Sequence, residues 1–177
     1  MKATGIVRRI DELGRVVIPK EIRRTLKIRE GDPLEIFTDR EGEIILKKYS
    51  PIGEMRTFAI QYAESMALNT EHIVIITDRD QVIAAAGGKK DLLNKSLTKD
   101  FENILENRML VKENTKGIRI TDIDTERNSK IIQPIICEGD VIGAVVVMGK
   151  DEAAKLSETE VKVTAIAANF LGRQMEA

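Results

Sequence analysis

The sequence predicts two domains, a mainly-β N-terminal domain with one short helix and an α+β C-terminal domain. Short alternating apolar runs fill residues 1–50, whereas the apolar residues that follow "SPIGEM" recur with a helical period. The proline and glycine of this stretch favour a break in regular structure. We therefore assign residues 1–50 to the first domain, 51–55 to a linker leading into a helix, and 56–177 to the second domain.

The first domain is predicted to hold four short strands and one helix. Its elements are the strands "TGIVRRID" and "RVVI", the helix "PKEIRRTL" and a hairpin formed by "PLEIFTD" and "GEIILKK" around "DREG". Pro19 suits the first helical position, because an N–H there would be unpaired in any case. We expect the apolar side chains of the second strand and the helix to form the core, namely Val16, Val17, Ile18, Ile22 and Leu26.

A domain of this size buries too little apolar surface to offset the conformational entropy lost on folding. A disulfide or a local zinc site is excluded, because the chain has one cysteine, Cys137, and one histidine, His72. We therefore expect the first domain to be an obligate homodimer. Its single helix also excludes a helix-turn-helix, whose recognition helix needs a second helix for support.

Positive charge is concentrated at the amino end of a chain whose net charge is only −1. Residues 1–29 carry nine basic and three acidic side chains, whereas residues 51–177 carry 16 basic and 20 acidic ones. This asymmetry indicates that one domain meets a polyanion. A solvated basic face is the alternative, and charge alone leaves both open.

Arginine suits duplex DNA because its planar fork can hold two phosphate oxygens, or two acceptors of guanine, at once. Three separate places in the first domain supply candidates: Arg8 and Arg9 at the end of one strand, Arg15 at the start of the next, and Arg23 with Arg24 on the helix. A dimer doubles this set and predicts binding that weakens steeply with salt. The alternative for the two helical arginines is a surface pair with Asp11, Glu12 or Glu21.

The stretch from Thr4 to Tyr49, "TGIVRRIDELGRVVIPKEIRRTLKI…GDPLEIFTDREGEIILKKY", resembles the AbrB-like swapped-hairpin family of bacterial transition-state regulators. The resemblance implies a dimer whose hairpins interlock between chains and a DNA-binding face of arginines. Carried over by position, the DNA-binding residues are Arg8, Arg15, Arg23 and Arg24, with Arg9 and Lys2 as secondary candidates.

The second domain is predicted to be a central sheet with helices at both ends of its sequence. Its elements are the helix "PIGEMRTFAIQYAESMAL", the strands "HIVIITD" and "QVIAAAG", the helix "LTKDFENILENRM", the strand pair "SKIIQPIICEGDVIGAVVVMGK" and the helix "SETEVKVTAIAANFLGRQM". Ser157 and Glu160 fit a capping box at the start of the last helix. The apolar stripes of the first and last helices favour pairing with another chain, which would give a homotetramer.

The stretch "IIQPIICEGDVIGAVVVMG" resembles the closing hairpin of a GAF domain, and the order of elements over residues 56–177 agrees. This resemblance implies a pocket for an unidentified small-molecule effector that alters DNA affinity. No cofactor or metal is expected. We do not expect an enzyme, because Cys137 lies in an apolar strand and the lone His72 is distant in sequence.

Together with the charge pattern, the resemblance implies a DNA-binding transcriptional regulator of sporulation genes that activates or represses its promoters. The amino terminus lacks the apolar core of a signal peptide and no apolar run is long enough to span a membrane, so we expect a cytoplasmic protein. Two alternatives remain open. One is an antitoxin-like swapped-hairpin protein that binds a toxin, and the other is a metabolic enzyme with a DNA-binding appendage.

Overall fold

The computed structural model describes residues 4–111, 117–124 and 128–176. The chain divides into two compact units, Met1–Tyr49 and Ser50–Ala177. None of the described helices is both long and apolar enough to cross a membrane. Each unit is considered separately below.

The first unit contains one helix and one hairpin. Helix α1 (Lys20–Thr25) is followed by the antiparallel strands β1 (Leu34–Thr38) and β2 (Ile44–Lys48). The turn between the strands is closed by the carboxylate of Asp39, which accepts the N–H groups of Glu41 and Glu43 at 3.0 and 2.8 Å. The predicted hairpin and helix are therefore confirmed.

The two strands predicted before the helix are absent from the single chain. Residues 4–10 and 15–18 form no strand ladder, since neither segment has a neighbouring strand to pair with. Pro19 was predicted to be the first helical residue, but it lies one position before the helix. Its ψ of 148° is extended, so it caps α1 and the helix begins at Lys20.

The predicted core of the first unit is also absent from one chain. Among residues 4–49, all of which the structure describes, only Pro19 is buried. Val17 is 71% exposed, and Val16 and Leu26 are exposed as well, while Ile18 and Ile22 are half-buried. The helix and hairpin of one chain provide too little apolar surface to enclose these side chains.

Residues 51–55, for which the sequence predicts a linker, begin the second unit as a short helix, α2 (Pro51–Glu54). The hydroxyl of Ser50 accepts the Gly53 N–H at 3.0 Å and donates to the Asp78 carboxylate at 3.0 Å. Burial raises the pKa of that carboxyl. Ile52 is fully buried, so this turn is anchored at both its cap and its apolar side chain.

The first helix predicted for the second unit is thus divided at Met55. Its longer part is α3 (Arg56–Thr70). The remaining predicted helices and strands are present. They are strands β3 (Ile73–Thr77), β4 (Val82–Ala86), β5 (Lys130–Cys137) and β6 (Asp140–Met148), and helices α4 (Lys99–Glu106) and α5 (Glu158–Gln174).

The four strands form one antiparallel sheet in the order β4-β3-β6-β5. Helices α3 and α5 cover one face, where Val74 and Ile76 point, and α4 covers the other, where Ile75 meets Phe101. Strand β3 is buried along its whole length because both faces of the sheet are covered.

The start of α5 carries the predicted capping box. The Ser157 hydroxyl accepts the N–H of Thr159 at 3.2 Å, and the Glu160 carboxylate accepts the Ser157 N–H at 2.7 Å. Farther along the helix, Gly172 lies so close to the Ile136 carbonyl oxygen that a Cβ atom there would collide with it. Glycine thus permits the close approach of α5 and β5.

The α4 side of the second unit contains a fully buried ion pair. The Lys130 ammonium lies 3.3 Å from the Asp124 carboxylate, and both side chains are 0% exposed. The same carboxylate accepts the Ile120 N–H at 3.1 Å, which ties the segment before β5 to the sheet.

We predict that Lys130→Met lowers the free energy of unfolding by about 3 kcal/mol, because it leaves the Asp124 carboxylate buried without its ammonium. Urea denaturation followed by circular dichroism measures the change. Lys150→Met, at an exposed position just after β6, is the matched control and should be nearly neutral. Equal stabilities of the two variants would show that the pair contributes nothing.

Candidate nucleic-acid interface

Among the predicted arginines, Arg15 has the most hydrogen bonds, because it belongs to the turn of residues 11–15. The Asp11 N–H donates to the Arg15 carbonyl at 3.0 Å, and the Gly14 N–H donates to the Asp11 carbonyl at 3.0 Å. Gly14 has a φ of +76°, a conformation that favours glycine. The turn places Arg15 at the start of the extended segment 15–18.

One carboxylate organises this turn and the arginine that follows it. Asp11 Oδ1 accepts the N–H groups of Leu13 at 3.0 Å and Arg15 at 2.8 Å. Asp11 Oδ2 accepts the Nε–H of Arg15 at 2.8 Å, in an ion pair whose side chains are 70% (Arg15) and 42% (Asp11) exposed. The hydrogen bonds from the Arg15 backbone and side chain hold the pKa of Asp11 below its usual value.

Arg23 is held by a different kind of acceptor. Its Nε–H donates to the Ile18 carbonyl at 3.2 Å, across the cap of α1, and its side chain is half-buried. This bond joins the helix to the extended segment that carries Arg15. Neither helical arginine forms a described ion pair with Asp11, Glu12 or Glu21.

The other predicted residues are less constrained. Arg8, Arg9 and Arg24 are exposed. Among the described residues, their side chains make one hydrogen bond, from Arg8 Nη1 to the Val7 carbonyl at 3.5 Å. Lys2 lies outside the described residues. The arginines therefore stand on three separate elements of one chain, and none is hydrogen-bonded to another.

A second set of polar contacts fixes the loop between α1 and β1. The Lys48 ammonium lies 3.2 Å from the Asp32 carboxylate and donates to the Lys27 carbonyl at 2.9 Å. Because Lys27 has a φ of +52°, this tight reversal needs such support. The hairpin is in this way attached to the end of the arginine-bearing helix.

The second unit lacks the geometry of a Cys–His nucleophile. His72 directly precedes Ile73 of β3, which pairs with Met148 at the last position of β6. Cys137 pairs with Asp140 at the first position of β6, so the two residues lie at opposite ends of this strand. Burial, followed by the carboxylates of Glu138, Glu176 and Asp140, raises the pKa of the Cys137 thiol. A thiol with a raised pKa is a poor nucleophile at neutral pH.

An aromatic cluster lies where α3 and α5 run side by side. The rings of Phe58, Tyr62 and Phe170 are 5.7 to 6.0 Å apart, and Tyr62 stacks on Phe170. Phe170 remains 39% exposed and Ile166, one turn earlier on α5, is 64% exposed. The two helices thus present apolar surface to solvent in the single chain.

Comparison with known proteins places most of the chain in one family. The family described as stage V sporulation protein T C-terminal, transcription factor, matches residues 54–176. The stage V sporulation protein T of Bacillus subtilis is 55% identical over 99% of both chains. The transition state regulatory protein AbrB of the same organism is 71% identical over 51 residues, which are 29% of this chain and 52% of that protein.

Two further matches concern the separate units. The family described as antidote-toxin recognition MazE, bacterial antitoxin, matches residues 7–54. The GAF domain of the Acinetobacter phosphoenolpyruvate-protein phosphotransferase superposes with a TM-score of 0.56 at 14% identity, over 73% of this chain and 84% of that one. The fold of the second unit is therefore GAF-like, as predicted.

The full-length relative and the family match over the second unit agree with each other. This chain belongs to the stage V sporulation protein T family of transcription factors.

Proposed function

We propose that this protein is a sequence-specific DNA-binding regulator of sporulation gene expression. Its first unit contacts duplex DNA as an interlocked homodimer, and its GAF-like unit modulates that binding. The observation that carries the proposal is the exposed arginine set of the first unit, in a chain closely related over its full length to a sporulation transcription factor. A bacterial transcription regulator acts where the chromosome lies, in the cytoplasm.

The chemistry of the first unit supports phosphate and base contacts. Arg15 and Arg23 each donate a hydrogen bond from Nε to another residue of the chain. The two Nη groups of each arginine form no hydrogen bond to a described residue. A guanidinium held in this way can still offer two parallel donors to a phosphate or to guanine. We infer that Arg8, Arg24 and the secondary candidates Arg9 and Lys2 add phosphate contacts.

The missing core supports the dimer. Segments 4–10 and 15–18 form no strand ladder within one chain and carry exposed apolar side chains, including Val7, Val16 and Val17. A second copy can pair with these segments and cover their apolar side chains, which removes both costs. Dimerisation also brings two arginine sets together on one assembly.

We predict that Arg15→Ala weakens binding of a short genomic duplex by about tenfold, because one guanidinium fork per chain is lost. The duplex is chosen by footprinting the intact protein on genomic DNA, and its affinity is measured by fluorescence anisotropy. Arg40→Ala, at the exposed turn between β1 and β2, removes the same charge and should have a much smaller effect. Equal effects would show that general charge, and not Arg15, governs binding.

The second unit supports assembly beyond the dimer. Ile166 and Phe170 of α5 are exposed, and Phe170 lies beside the half-buried rings of Phe58 and Tyr62 on α3, so we infer that these helices share an apolar contact surface. Two such helix pairs can pack as a four-helix bundle and exclude this surface from water. Two dimers joined in this way form a homotetramer, whose avidity for DNA exceeds that of one dimer.

We predict that Phe170→Asp reduces the assembly from four chains to two, because it places a charge in the apolar surface. Sedimentation equilibrium measures the mass of the assembly. Asn103→Asp introduces the same charge at an exposed position of α4, on the other face of the sheet, and should leave the assembly intact. A tetramer that survives Phe170→Asp would exclude this surface as the contact.

A small-molecule effector of the GAF-like unit is part of this proposal. The α4 face of the sheet carries several buried polar side chains, including Thr121, Asp124 and Lys130. The Thr121 hydroxyl has no hydrogen-bond partner among the described residues. A ligand that binds at this face and alters assembly would change DNA affinity by linkage.

A second candidate function is that of an antitoxin, which the MazE match over residues 7–54 favours. In that case the first unit would serve a protein complex, and a stoichiometric basic partner would copurify with the chain. The GAF-like unit and the full-length relative favour transcription regulation. Purification from the native source distinguishes the two functions.

A further inference from the structure

The ion pair of Asp11 and Arg15 is formed in a place where it adds little stability. The side chains are 70% (Arg15) and 42% (Asp11) exposed, and exposed ion pairs contribute little to folding because water screens them and side-chain entropy opposes them. A carboxylate beside a DNA-binding arginine also repels phosphate. The pair therefore needs an explanation other than folding stability or net attraction to DNA.

The geometry of the pair supplies that explanation. Asp11 Oδ2 holds only the Nε edge of Arg15, at 2.8 Å, and no described residue accepts from its two Nη groups. Asp11 Oδ1 is bound at the same time to two backbone N–H groups of the turn, so the carboxylate itself cannot rotate freely. The guanidinium plane is in this way fixed to the backbone of residues 11–15, with its outer edge directed away from Asp11.

We propose that Asp11 is a positioning residue for DNA binding, which orients the guanidinium of Arg15 before the duplex arrives. This inference rests on the proposed function and adds a residue of opposite charge to the interface. Free arginine loses considerable side-chain entropy when it is immobilised, and a preformed orientation reduces that cost at the moment of binding. The proposal requires this gain to exceed the repulsion between Asp11 and phosphate, which the substitutions below test.

The substitution Asp11→Asn separates the two roles of the carboxylate. The asparagine Oδ1 can still accept the N–H groups of Leu13 and Arg15, so the turn is retained. The asparagine Nδ2 is a donor and cannot accept the Nε–H of Arg15. Net charge becomes more positive, and electrostatics alone would then predict tighter binding to DNA.

We expect the opposite result, in which Asp11→Asn weakens binding of the footprinted duplex by about fivefold. Glu12→Gln removes the same charge from the same exposed turn and should leave affinity unchanged or slightly improved. Asp11→Ser is a second variant. The serine hydroxyl can also accept from the backbone of the turn, but serine has no second oxygen to accept the Nε–H of Arg15. Anisotropy at two salt concentrations and sedimentation of each variant complete the measurement.

A double-mutant cycle distinguishes positioning from a structural role. In the Arg15→Ala protein, Asp11→Asn should no longer weaken binding, because there is no guanidinium left to orient. The inference is overturned if Asp11→Asn matches Glu12→Gln, or if it weakens binding by the same factor with and without Arg15. An Arg15→Ala protein that binds normally would overturn the proposed role of Arg15 and this inference together, whereas the first two outcomes leave Arg15 in the interface.

Discussion

The constraint on which the rest of the molecule depends is that the first unit cannot cover its own apolar side chains. Only Pro19 is buried among residues 4–49, whereas the second unit buries both faces of its central strand β3. Apolar surface left in water gives no stabilisation to set against the entropy of an ordered chain. We therefore propose that the first unit obtains its interior from another copy and that its DNA-binding face is complete only once that interior is formed.

The arginines illustrate how local and intermolecular order combine. Within one chain, Arg15 is oriented by the carboxylate of Asp11 and Arg23 by the carbonyl of Ile18. These bonds fix each guanidinium relative to its own element. Under the proposed dimer, the apolar contacts between the two copies would fix the relative positions of these elements, so that folding of the dimer and construction of the DNA-binding face would be one process.

Local pattern was sufficient to predict much of the fold. The β1–β2 hairpin, the strand pairs β3–β4 and β5–β6, and the capping box of Ser157 and Glu160 all depend on residues close in sequence. The strands expected over residues 4–11 and 15–18 are absent because neither segment has a strand to pair with among residues 4–49 of one chain. The split at Met55 was missed because it depends on the Ser50 cap and its long-range bond to Asp78.

The candidate site was predictable in its residue types but not in its internal contacts. Arginine clusters are visible in composition, and an aspartate three residues before Gly14 is a recognisable turn signal. That the same aspartate would pair with Arg15, and not with a helical arginine, follows from the direction of the chain after the turn. Periodicity contains no information about that direction.

Hydrogen exchange of the backbone amides in the intact protein tests the central claim most directly. In one chain, residues 16–18 form no strand ladder and two of their three side chains are exposed. If a second copy completes the first unit, these amides should be strongly protected, with exchange rates close to those of β3 in the second unit. Rapid exchange at residues 16–18, in a protein whose β3 is fully protected, would contradict the account.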